Sequence, residues 1–269
     1  MSNTVSFMGA NFVARQVGYA LTGGWMQGDQ AANDFFRPLE TFPERFGALL
    51  DEISALGFAA VDIWSAHLNW NWATPEHIAA ARSLLARRRL QVVSLAGNFG
   101  SSRPEFEAAC RLAVALGTAR LGGDTALLAT DRAFVVATLQ QHGLRFGIEN
   151  HPEKTARALL DKIGVGGAGV LGAALDTGCF ATLGYDAAQA VTELAGCLVH
   201  VHLRDVLAPG SHASCRFGHG CVPLEACVRS LRQIGYAGPL SIEHNPENFD
   251  PTEDCRASLA LLRGWLAAP

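Results

Sequence analysis

The sequence predicts an α/β fold, a single (β/α)8 TIM barrel spanning residues 1–269. Three observations lead there. Eight short apolar runs recur along the chain, and the stretches between them carry apolar residues at helical spacing. The runs themselves are nearly continuously apolar, as parallel strands are when both sheet faces are covered. An open doubly wound sheet is the alternative architecture.

The first run lies in "FMGANFVA" (7–14) and the second in "GFAAVDIW" (57–64). "LQVVSL" (90–95), "ARLGG" (119–123) and "LRFGIE" (144–149) follow, then "VLGAALD" (170–176), "CLVHVH" (197–202) and "PLSIE" (239–243). Before the second run, Phe46, Leu49, Leu50, Ile53 and Leu56 share one helix face. Leu224, Cys227, Val228, Leu231 and Ile234 do the same before the eighth, and Leu262, Trp265 and Leu266 belong to a closing helix. Residues 18–38 make the longest connection and contain Trp25, Phe35 and Phe36. Loops of that length inside compact domains are usually functional or disordered, so this aromatic β1–α1 segment is expected to be a lid over the barrel mouth. The connection 204–220 is also long. No linker or tandem repeat interrupts the β–α alternation, which favours one domain.

Bulk properties narrow the function classes. No stretch approaches the roughly 20 apolar residues that cross a bilayer, and "MSNTVSFMGANF" lacks the basic start of a signal peptide. A cytoplasmic protein without membrane contact is the expectation. A net charge of −4 weighs against nucleic acid, since phosphate binding needs a basic surface. Seven cysteines, an odd number with no C-x-x-C pair, indicate reduced thiols and not a disulfide or zinc framework. A small molecule is the expected partner, and a homo-oligomer is left open.

The chemistry gathers at strand ends. Glu149 closes the fifth run in "GIENHP", Asp176 the sixth, His202 the seventh and Glu243 the eighth. Barrel active sites sit at the C-terminal strand ends. Three carboxylates crowded there would raise one another's pKa, and a divalent cation removes that cost. One nitrogen and three oxygen donors suit manganese, cobalt or magnesium, with zinc also compatible.

"GIENH", "LGAALDTG", "HVHLRD" and "IGYAGPLSIEH" together resemble the xylose isomerase-like barrels, the sugar phosphate isomerase/epimerase superfamily. The likeness in pattern and order runs from about residue 42 to 243. It implies one metal ion held by Glu149, Asp176, His202 and Glu243, with Glu149 and Glu243 also exchanging the substrate proton. It implies a substrate contact three residues after the metal aspartate, where several members carry histidine and this chain has Cys179. It further implies a substrate-facing arginine on the loop after the seventh strand, here Arg216.

Trp64, His67, Asn98 and His151 are added as substrate-contact candidates from their places just after strands. His151 and His244 each follow a glutamate directly and either touch substrate or cap a loop, whereas His200 reads as a packed histidine one layer below His202. No nucleotide cofactor is expected, because "GVGGAG" (164–169) follows a helix and precedes a strand, the reverse of a dinucleotide fingerprint.

The reading is a divalent-metal-dependent sugar, or sugar phosphate, isomerase/epimerase working by proton transfer through a metal-stabilised enediolate. A dehydratase of the inosose or 3-dehydroshikimate type uses the same four ligands and is the alternative. An apurinic endonuclease-like repair enzyme needs three zinc ions, extra histidines and a basic groove, and fits less well. A Schiff-base aldolase needs a strand-end lysine, and neither Lys154 nor Lys162 occupies one. Whether Arg216 with Gly218 and Gly220 receives a phosphate or plain hydroxyls stays open at this level.

Overall fold

The computed structural model describes residues 3–165 and 167–268, and in it the strands close into the expected barrel. The strands are β1 (Val5–Met8), β2 (Ala60–Trp64), β3 (Gln91–Asn98), β4 (Arg120–Asp124), β5 (Arg145–Glu149), β6 (Leu171–Asp176), β7 (Leu198–Val206), β8 (Ser214–Cys215) and β9 (Leu240–Glu243). β1 to β7 pair in parallel, each with the next; β9 then pairs with β7 on one side and β1 on the other. β8 is a two-residue addition, antiparallel to the tail of β7.

Every expected apolar run overlaps a barrel strand, but β3 runs on to Asn98, β7 runs on to Val206, and the first run is shifted. The first run was placed at 7–14, whereas the strand ends at Met8 and Gly9–Phe12 form a 3-10 turn. All four turn residues are buried, so burial and not strand geometry explains their apolar character. Asn11 anchors this turn by donating to the carbonyl of Ile242 at 3.0 Å and accepting from the His244 amide at 2.8 Å.

The helices bury the faces their periodicity marked. Phe46, Leu49, Leu50 and Ile53 are inward on the helix Phe42–Ala55; Leu224, Cys227, Val228 and Leu231 are inward on Leu224–Gln233. Facing them, the outward strand residues such as Phe146, Ile148, Val201 and Ile242 complete the main core. The lumen is different. Ser6, Asp62, Ser94, His200 and Ser241 are all fully buried, so polar contacts fill the barrel where branched apolar layers are usual.

The 18–38 segment is not an open loop, because most of it is the helix Trp25–Phe36. Phe36 packs beside His67 with ring centroids 4.9 Å apart, and the Arg45 guanidinium lies 4.2 Å from the Phe35 ring centre. That half is fixed wall. Tyr19 to Met26 instead border the barrel mouth, with Trp25 and Met26 exposed. If this half is a lid, hydrogen exchange at 19–26 should slow on binding a sugar while 30–36 stays unchanged. Full protection of 19–26 without ligand would make it a wall as well.

Within "GVGGAG", Gly164 ends the helix Ala156–Ile163 and the stretch leads into the N-terminal end of β6, away from the strand ends that carry the acids. Gly166 lies outside the described residues.

Candidate metal centre and active site

Side chains two residues apart on a strand share a face, and this rule builds the site. Gly147 and Glu149 on β5, Ala174 and Asp176 on β6, and Ser241 and Glu243 on β9 form matched pairs. His200, His202 and Arg204 form a file on β7, and Asp62 lies below Trp64 on β2. The lumen is narrow at the Gly147 level: a Cβ there would sit 2.9 Å from both the amide nitrogen and the Cβ of Ala174. Glycine two places before Glu149 lets β5 approach β6 closely.

His202 is the centre of the arrangement. Its Nε2 lies 2.9 Å from Asp62 Oδ2, which also accepts from His200 Nε2 at 2.7 Å and Ser241 Oγ at 3.1 Å. Burial alone would raise the Asp62 pKa, but the two imidazoles outweigh it and hold the carboxyl well below the usual carboxylate range. An ionised carboxylate only accepts, so Nε2 of His202 carries a proton. The other nitrogen, Nδ1, then faces two more acids: Glu149 Oε1 at 3.3 Å and Glu243 Oε2 at 3.1 Å. Glu243 Oε2 is buried, with no hydrogen-bond partner beyond this contact.

A lone pair between two carboxylates is repulsive unless a cation joins them. In the free protein that cation is a second proton: burial opposes it, yet Asp62, Glu149 and Glu243 together raise the His202 pKa well above its ordinary value. A divalent metal is the other solution. Glu149, His202 and Glu243 offer one donor atom each within 4.8 Å of one another, and a metal-binding histidine commonly donates its remaining N–H to a carboxylate, as His202 does to Asp62. The orphaned Glu243 oxygen and this donor set fit a divalent cation.

Asp176 sits beside this trio with its oxygens committed. Oδ1 caps the helix Thr177–Thr182, accepting from the amides of Gly178 at 2.7 Å and Cys179 at 3.1 Å. Oδ2 meets the Cys179 thiol at 3.0 Å and Arg204 Nη1 at 3.1 Å. Arg204 is itself buried and reaches Glu243 Oε1 at 3.5 Å, so one guanidinium bridges two of the expected ligands. Burial pushes the Cys179 thiol up and Asp176 pushes it further, which keeps it protonated. Its Sγ also contacts His151 Nε2. Burial works against the His151 charge, but Asp176 and Glu149 prevail and its pKa is pushed up to about 9.

Above these groups opens a cavity of about 1630 Å³, lined in part by Glu149, Glu243, Trp64, Asn98, His151 and Cys179. Two substrate-contact expectations find no place in that lining. His67 is buried between Phe36 and Trp64, its ring 4.9 and 5.3 Å from theirs, and burial pushes its pKa down to about 3. It is a neutral packing residue because the chain turns inward after Trp64. Arg216 bonds His219 at 3.2 Å on the outer loop. The amides of Gly218 and Gly220, which with Arg216 would have cradled a phosphate, both donate to Asp205 Oδ2 at 3.0 and 3.1 Å. Of the two histidines that follow glutamates, His151 borders the cavity, while His244 is buried between Ser214 at 2.9 Å and Asp254 at 3.2 Å.

Sequence reasoning missed Asp62 and Arg204. An acid inside "AVDIW" was the signal for the first. For the second it was the period-2 file His200, His202, Arg204, hidden by ending the strand at 202 when β7 runs to Val206. Replacing Asp62 by Asn removes the charge that fixes the His202 tautomer and should weaken metal affinity by about 10- to 100-fold. Chelator-buffered titration measures this, with a thermal melt to check folding; unchanged affinity in a folded variant rejects the role.

Residues 50–265 match the family described as Xylose isomerase-like TIM barrel. A 73-residue stretch is 40% identical to L-ribulose-5-phosphate 3-epimerase of Escherichia coli, covering 27% of this chain and only 24% of that enzyme. Among solved structures, a xylose isomerase-like TIM barrel protein from Mycobacterium smegmatis in complex with magnesium superposes with a TM-score of 0.74 at 16% identity, over 98% of this chain and 96% of that one. The probable 3-DHS dehydratase AsbF from Bacillus anthracis superposes with a TM-score of 0.68 at 15% identity, over 97% and 98%. At such identities the structural matches speak for the fold alone. The family match covers most of the chain, and the chain belongs to the xylose isomerase-like TIM barrel family.

Proposed function

We propose that this protein is a divalent-metal-dependent sugar isomerase or epimerase that moves a proton between carbon and two glutamates. One observation carries the reading: Glu149 from β5 and Glu243 from β9 flank the same imidazole nitrogen of His202 and both border the cavity. A divalent ion held by Glu149, His202 and Glu243, with Asp176 as fourth donor once the ion displaces the Cys179 thiol and Arg204 from its Oδ2, and with manganese, cobalt or magnesium favoured by oxygen donors and zinc compatible, would polarise a substrate carbonyl and stabilise an enediolate.

The protein's own groups do the proton work. Glu243 Oε1 accepts from Asn245 Nδ2 at 3.0 Å and faces Arg204 at 3.5 Å, whereas Oε2 faces His202 Nδ1 at 3.1 Å. Glu243 takes or returns the proton from its side of His202. Glu149, on the other side of His202, performs the complementary transfer. Return to the same carbon from the opposite face gives an epimer, and return to the neighbouring carbon gives an aldose–ketose pair. The partial likeness to a ribulose-phosphate epimerase supports this class.

A dehydratase is the second reading, favoured by His151, which borders the cavity beside Asp176 and can protonate a departing hydroxyl. Turnover by metal-loaded protein in deuterated water, screened over keto-sugars, sugar phosphates, inososes and dehydroshikimate, separates the two. An isomerase or epimerase places deuterium at the reacting carbon of recovered sugar. A dehydratase product loses one water and gains a conjugated absorbance. Neither signal from any compound rejects both readings.

A further inference from the structure

The cavity has two halves of opposite character. Its floor is the carboxylate and imidazole cluster. Its rim is apolar: of the eight large hydrophobic side chains left exposed among the described residues, five (Trp25, Met26, Leu183, Leu207 and Phe249) line this one cavity. They come from the helix after β1 and from the segments following β6, β7 and β9, so four separate parts of the chain converge on it. Exposed apolar groups gathered on one concave surface mark a ligand-binding groove or an interface, whereas scattered ones need no explanation.

Charge excludes one class of ligand. The lining carries the carboxylates of Asp29, Asp124, Glu149, Glu243 and Glu247; its basic side chains are Arg204, His151 and His212, and the described lining residues include no lysine. Arg204 is buried and engaged by Asp176 and Glu243. A divalent ion would offset the acids of the floor, but Asp29, Asp124 and Glu247 keep the approach negative. A phosphoryl group would meet unfavourable potential on the way in, and the two cations it would reach, Arg204 and the His151 imidazolium, already face Asp176. Size points the same way: 1630 Å³ exceeds the roughly 300–1,000 Å³ of ordinary small-ligand pockets.

Resting on the sugar reading above, we infer that the substrate is an uncharged sugar that keeps a free carbonyl and bears an alkyl or aryl group, joined through oxygen away from that carbonyl, with the sugar on the acidic floor and the apolar group against the rim. Indole and phenyl faces accept both the C–H face of a sugar and an aromatic ring. The alternative occupant, a second copy of this chain, would cover the rim without needing the floor.

The test is binding to the metal-loaded wild-type protein, with glycosides that lack the carbonyl so that turnover does not intervene. Methyl, phenyl and octyl β-D-glucosides and galactosides are titrated calorimetrically beside glucose 6-phosphate. Phenyl and octyl glycosides should bind at least about tenfold more tightly than methyl, because burying such a group is worth more than the roughly 1.4 kcal/mol a decade requires. The double variant Leu207→Ser/Phe249→Ser should erase that difference and leave methyl glycoside binding unchanged; both side chains are exposed (57% and 43%), so the fold tolerates them. Equal affinity across the aglycones, tighter binding of the phosphate, or no binding by any glycoside overturns the inference. So does a change from dimer to monomer in the double variant, by sedimentation, with aglycone preference intact. An aglycone preference with no deuterium exchange on any sugar would sink the isomerase reading alone; exchange on free sugars without aglycone preference would sink this inference alone.

Discussion

Glu243→Gln and Glu149→Gln should each lower turnover at saturating metal by about 100-fold or more, the usual scale for a lost general acid or base. The substitution keeps the shape but removes the proton-accepting charge. Because an interaction used only in the transition state is lost, kcat should fall more than KM rises. Cys179→Ala serves as the contrast. Its thiol stays protonated and is directed at Asp176 at 3.0 Å, so it offers substrate little and its loss should cost far less. A Cys179→Ala defect as deep as that of Glu243→Gln would make the cysteine a catalytic group and reject the two-glutamate mechanism.

The second large effect concerns the metal. Elemental analysis after reconstitution should find about one divalent ion per chain in the wild type and essentially none in an Asp176→Ala/His202→Ala variant, since two of four donors are gone. Removing Asp176 also strands Arg204, whose remaining acid contact is Glu243 at 3.5 Å, and a buried charge that loses its partner destabilises by about 3–5 kcal/mol. The pair Asp176→Asn and His202→Gln keeps hydrogen bonding near Arg204 and Asp62, and is the version to use if the alanine variant melts early. Metal content equal to wild type in either folded variant would reject the ligand assignment. Three zinc ions per chain would restore the endonuclease alternative.

The barrel was legible in the chain because two local signals agree. Apolar runs such as "LRFGIE" stay apolar on both faces, and segments such as 42–56 repeat at helical spacing, so each β–α unit declares itself without long-range information. The strand-end donors were legible for the same reason. Once parallel strands with common polarity are accepted, Glu149, Asp176, His202 and Glu243 must emerge at one rim. Where the argument depended on what lies beside a residue, sequence was silent. Arg216 and Arg204 are both arginines near the end of the seventh run, and only the extension of β7 to Val206, paired with β8, turns Arg204 onto the His202 face and leaves Arg216 outside. His67 and His151 both follow strands, yet packing between Phe36 and Trp64 removes one from the cavity while the other borders it. Asp62 is a buried acid inside an apolar strand. It is compensated by His200 and Ser241 from β7 and β9, more than 130 positions away, and a pairing across that separation is decided by barrel closure and by no local preference of the chain.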